Sequence, residues 1–132
     1  MVSLHDVVMY LVPSARVNID FAVASVNGVQ TIVTWQLQQP QPTPAELAAA
    51  ELPAAKAATI AANRAECSRR IYARYPAGRQ LSALAGLYDS ANVATMTDWI
   101  AANVAAENTA ADLIEAATTV QAVEAVTVAW PA

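Results

Sequence analysis

Few side chains in this 132-residue sequence could make or break bonds, and their spacing does not bring them into a recognisable machine. His5 beside Asp6 is half of an acid/base pair, but a lone histidine with no second nearby nucleophile or ligand reads as a surface or capping residue. Cys67 is the only cysteine, so no intramolecular disulfide can form, and its helical surroundings suit a small packed hydrophobe. The carboxylates Asp98, Glu107, Asp112 and Glu115 are expected at separate helix starts and on exposed faces, the solvated arrangement rather than an acid/base couple. Three glycines leave almost no room for a phosphate-cradling loop, and one histidine with one cysteine makes no nitrogen/sulfur metal site. Carboxylate ligation stays open. The expectation is a non-enzymatic protein with no catalytic, cofactor-binding or metal residues and no cofactor.

What remains to be explained is architecture. The hydrophobic fraction of 56% is largely alanine, which favours helix but buries little surface per residue, so the large apolar side chains must do most of the packing. A net charge of -4 argues against general nucleic-acid or anionic-membrane binding. Six of the seven cations, Lys56, Arg64, Arg69, Arg70, Arg74 and Arg79, lie close together. They could form a basic patch for an acidic partner. The preferred reading is that arginines in the last turns of a helix complement its negative C-terminal end. No run of about 18 apolar residues is free of Asn, Asp or Glu, so a membrane-spanning helix is not expected. Nor does Met1–Asp6 have the basic start and apolar run of a signal peptide, which gives a protein expected to be made and kept in a cytoplasm.

In chain order, Leu4, Val7, Val8 and Leu11 predict a short helix with Ser3 as its cap, ended by Pro13. The period then changes to two. Ile19, Phe21 and Val23 fall on one face of the first run and Val33, Trp35 and Leu37 on one face of the next, and Asn27-Gly28 between them is a strong signal for a type I′ hairpin. The apolar face of such a hairpin is too small to be stable alone and needs a helix or another chain. Phe21, Val33, Trp35 and Leu37 are therefore the candidate protein-docking residues.

Pro40, Pro42 and Pro44 follow within a few positions, and the helical pattern resumes at once. Thr43 caps, Pro44 suits the first helical position, and Glu46 completes a capping box, so this segment should act as a stiff hinge rather than a tether. A long helix is expected from about Pro44 to Tyr75, broken or kinked near Pro53, with Ala57, Ile60, Cys67, Ile71 and Tyr75 as its apolar stripe. Shorter helices are expected over Arg79–Ser90, Thr95–Glu107 and Thr109–Ala117, with Thr95 or Thr97 and then Thr109 as caps. The tail from Thr119 to Trp130 fits either helix or strand. The sum is an α+β chain, mainly α: residues 1–42 as a helix and hairpin docking module, and 43–132 as an alanine-rich multi-helix region.

Leu4, Asp6, Tyr10 and Pro13, then Asp20-Phe21 and Trp35, then Pro40, Pro42, Thr43, Glu46 and Leu47 resemble the XkdW-like family of small proteins encoded beside tail-fibre genes in bacteriophages and defective prophages. The likeness spans about the first 50 residues and stops beyond Leu47. It implies no catalytic residues. Together with the small hairpin face and the capped hinge it points to a virion structural protein of the tail, baseplate or fibre region, docking on other phage structural proteins. The small residues of the long helix leave homo-oligomers as a further option, and the charge balance argues against nucleic acid or membrane as partner. The alternatives are a fibre assembly chaperone absent from the particle and a capsid decoration or head-fibre protein.

Overall fold

The computed structural model describes residues 2–132. Among them the element order is α1 (Leu4–Leu11), β1 (Phe21–Val26), β2 (Val29–Trp35), α2 (Pro44–Arg74), α3 (Ala77–Leu84), α4 (Ser90–Ala116) and α5 (Val120–Glu124). The fold is α+β and mainly α, as the periodicities indicate. Contacts divide the chain into two compact units, one holding the N-terminal stretch through Thr59 with Ala117–Glu124, the other Ile60–Ala116 with Ala125–Ala132. The division falls inside α2, after Thr59.

In the first unit, α1 opens with a capping box in which the Ser3 hydroxyl accepts from the Asp6 amide and the Asp6 carboxylate accepts from the Ser3 amide. The hairpin turns at Asn27 (φ 53°) and Gly28 (φ 78°), the positive angles a type I′ turn demands. Its strands pair antiparallel, with Val26 opposite Val29, Ala24 opposite Thr31 and Phe21 opposite Trp35. The register slips between Ala22 and Val23: Ala22 faces Thr34 while Val23 faces Ile32, so Val33 has no opposite number. That β-bulge corrects the expected apolar face. An extra residue in one strand shifts its side-chain alternation by one, which brings Ile32 inward and turns Val33 out. Val8, Val12, Ala15 and Phe21 form the buried core, with Leu4, Met9, Val23, Ile32, Trp35, Leu37 and Leu47 packed on it. The start of α2 joins through a second cluster, in which Ala50 and Ala54 lie against Val7 and Leu47.

Helix α2 runs through Pro53 as one element, so of the break or kink expected there the break does not occur. Proline removes one backbone donor, and the cost of roughly 3 kcal/mol is offset here by helix formers on either side and by burial of Ala50, Ala54 and Ala55.

In the second unit the expected helices Thr95–Glu107 and Thr109–Ala117 are one element, α4. No proline or glycine interrupts Ser90–Ala116, and the threonines proposed as caps sit inside the helix, where the Thr95 and Thr97 hydroxyls donate to the carbonyls of Ala91 and Val93. Thr109 likewise lies within α4. The cap is Asp89, whose carboxylate accepts from the Asn92 amide at 2.8 Å. Helix α3 is shorter than expected, stopping at Leu84 in a Schellman motif: Gly86 (φ 78°) donates to the Ala83 carbonyl and Leu87 to that of Ser82. Tyr75, Ala83 and Met96 form a core cluster with Val93, Trp99 and Ile100. The ambiguous tail resolves into α5 followed by chain that forms neither helix nor strand.

Candidate docking site

His5, Asp6 and Ser3 do meet, but as a helix start. The Ser3 hydroxyl donates to Asp6 Oδ2 at 2.6 Å, His5 Nδ1 stands 3.8 Å from Asp6 Oδ1, and the imidazole stacks on Phe21 with centroids 6.0 Å apart. The hydroxyl donates to the carboxylate, a weak base, and not to the His5 imidazole, so the serine–histidine–carboxylate order that activates a nucleophile is not formed. The two hydrogen bonds from Ser3 hold the Asp6 carboxyl below its ordinary value.

Burial pushes the Cys67 thiol up, with the nearby Glu107 charge adding to it, which makes this a packed rather than a reactive sulfur. Glu107 was expected on an exposed face and is instead buried, beside the fully buried Asn103 one turn earlier. Arg64 Nε lies 3.7 Å from Glu107 Oε1, an ion pair too long to be a hydrogen bond. Asp98, Asp112 and Glu115 are exposed as expected. Among the described residues no three potential metal ligands cluster, and no helix is long and apolar enough to cross a membrane.

The clustered arginines have local partners. Arg69 and Arg70 both bond to Glu66, at 2.7 and 2.8 Å, and these bonds, Arg69's first, lower the Glu66 carboxyl to about 2. Arg70 covers the Trp130 ring at 4.9 Å, Arg74 the Trp99 ring at 4.7 Å, and Arg79 the Tyr75 ring at 5.4 Å. Guanidinium planes seated on indole and phenol faces serve as lids on the aromatic core. The sequence does not show this role, because Trp99 and Trp130 are distant in the chain and no local pattern links them to α2.

The hairpin offers the arrangement best suited to docking. Of the four candidate residues, Phe21 is 1% exposed, Trp35 and Leu37 pack on the same core, and Val33 stands 54% exposed. Trp35 and Phe21 touch at 6.1 Å, and the Trp35 indole N–H donates to the Gln39 carbonyl. On the inner face Gln30 is also committed, its side-chain oxygen accepting from the Leu4 amide at 2.8 Å. The outer face pairs Ala22 with Thr34, Ala24 with Thr31 and Val26 with Val29, and Val26, Val29 and Val33 are all exposed. No residue from Phe21 to Ala45 carries a charge. Among the described residues the sheet has two strands only, and β2 has neither the lysine nor the proline that usually protects a free edge. At the hinge, Thr43 and Glu46 close the expected capping box, the Thr43 amide donating to Glu46 Oε2 at 2.8 Å and the Glu46 amide to Thr43 Oγ1 at 3.2 Å. Pro42 is buried while Pro40 and Pro44 are exposed.

Residues 4–59 match the XkdW protein family. The XkdW match ends at the residue where the first unit's main segment ends, so the likeness belongs to a unit that is compact in its own right. It runs past the proline hinge into the first half of α2, further than the likeness visible residue by residue. No curated protein and no solved structure matches the chain.

Proposed function

We propose that this is a non-enzymatic structural protein of a bacteriophage particle, of the tail, baseplate or fibre region, whose XkdW-like unit docks on a neighbouring virion protein through the outer face and free edge of its hairpin. The XkdW match supports a phage-related protein. The observation that carries the docking role is the uncharged, two-stranded hairpin whose outer valines have no cover within their own unit. Soluble monomers seldom leave an uncharged edge and an apolar outer face open together, because they pair with whatever strand or apolar surface meets them. α1 and the capped start of α2 hold the hairpin from behind, and a rigid presentation lowers the entropy lost on docking.

Mass spectrometry of purified virions tests this. The protein is expected in particles at a copy number matching a symmetric tail or baseplate ring. Presence in infected cells with absence from particles would replace this reading by a fibre assembly chaperone, and density on the head would make it a decoration protein.

A further inference from the structure

Helix α3 carries an apolar stripe that faces away from its own core. Ala83 is buried against Tyr75 and Met96, and Arg79, on the same side, reaches over the Tyr75 ring. Ala77, Gly78, Leu81, Leu84 and Ala85 take the other side, at the i, i+1, i+4, i+7, i+8 spacing of one helix face, and all five are exposed. Leu81 is 66% exposed and Leu84 85%. The Schellman turn brings Leu87, 73% exposed, back beside Leu81, since that motif sets the residue after its glycine against the last full turn. Three leucines with the small residues between them thus make a patch on the order of 500 Å², the size that marks a contact surface on a small protein.

The stripe is also its own complement. About a twofold axis through Leu81, two antiparallel copies of α3 set Leu81 on Leu81, Leu84 of one copy on Gly78 of the other, and Ala77 on Ala85. Leu84 then meets a small position on each side of the axis, and the two Leu81 side chains meet each other at its centre. Gly78 has nothing within 4 Å of where a Cβ would lie, so it leaves room for the incoming leucine. No charged residue lies on the stripe to oppose the approach.

We infer that a second copy of this chain covers the α3 stripe, giving a twofold homodimer centred on Leu81. Pairing the two patches buries about 1,000 Å², the lower bound for a specific interface, so the dimer is weak and reversible in isolation. An isologous contact of this kind closes on itself and does not propagate into fibres. It is independent of hairpin docking and is read on the purified protein without any virion partner.

Sedimentation equilibrium on the full chain, from micromolar to millimolar concentration, tests the inference. Wild type should pass reversibly from monomer to dimer. Leu84→Glu and Gly78→Lys should each weaken association by about tenfold or more, a loss typical of a central interface residue. Combining Gly78→Lys with Leu84→Glu in one chain should recover it, because each lysine then faces a glutamate of the other copy twice across the axis. Both positions are exposed, so far-UV circular dichroism should stay that of wild type, and Leu84→Ser provides an uncharged control expected to weaken association. A wild type that stays monomeric to millimolar concentration would overturn the proposal and leave the patch to a different protein. Equal association by Leu84→Glu, or no recovery in the folded double variant, would overturn it as well.

Discussion

The indole N–H of Trp35 donates to the carbonyl oxygen of Gln39 at 2.8 Å, tying the last residue of β2 to the segment that leads into the prolines. One side chain thereby serves two levels of the structure: its ring packs on Phe21 and the α1 core, and its polar edge fixes the path toward the Thr43 cap. Trp35→Phe should keep most of the packing and lose the bond, at about 1 kcal/mol. Trp35→Ala should cost about 3 kcal/mol, because ring and bond go together. Urea melts of the two variants check the difference, and equal losses would mean that the bond contributes nothing.

The bulge leaves Val33 exposed and unpaired beside a buried inner face, so stability and the proposed docking can be probed separately. Phe21→Ala should cost about 4 kcal/mol as a buried ring is removed from a small core. Val33→Ser, at the exposed unpaired position, should change stability by no more than about 0.5 kcal/mol. The same Val33→Ser should nonetheless lower incorporation into particles, measured by quantitative mass spectrometry of virions. Full incorporation of that variant would remove the outer face of the hairpin from the docking surface.

Thr43→Ala should destabilise the start of α2 by about 1 kcal/mol, the usual worth of such a cap. Hydrogen exchange is the suitable probe, since the amides of Ala45, Glu46 and Leu47 should lose protection before those of the helix centre.

Acid should weaken the second unit through Glu66. Its carboxyl is held at about 2 against an ordinary 4.5, chiefly by the bond from Arg69. Because the folded value is the lower one, the ionised group stabilises the fold fully above about 4.5, and this contribution is lost as pH falls toward about 2. The Tm gap between wild type and Glu66→Gln should therefore be greatest near neutrality and close across that window. A gap that does not vary with pH would contradict the assignment.

Arg74→Gln should cost about 0.5 to 1 kcal/mol by removing the cation from the Trp99 face. Nuclear magnetic resonance offers a direct readout. The Trp99 indole N–H resonance should move in Arg74→Gln and stay nearly fixed in Arg69→Gln, since Arg69 bonds to Glu66 instead.

Elements that depend on neighbours in sequence were readable from sequence. Asn27-Gly28 could hardly be anything but a tight turn, and Thr43-Pro44 with Glu46 places the start of α2 to the residue. Features decided by tertiary contact were not. Strict alternation put Val33 on the apolar face, and only pairing with β1 and packing on α1 select the slipped register that brings Ile32 inward. Thr95, Thr97 and Thr109 have the chemistry of caps, yet a hydroxyl can also bond back to the preceding turn, and without a glycine or proline nothing stops the helix. Residue type alone places Glu107 in solvent, while its burial depends on residues of α2 some forty positions away.

The absence of charge from Phe21 to Ala45 also bears on how fast and under what conditions such a hairpin could join an assembly. With no ions to attract or repel, encounter is not steered, and the association rate falls in the ordinary range set by diffusion and orientation. Ionic strength has no charge on that surface to screen, so attachment made there should form equally well in dilute buffer and in concentrated salt.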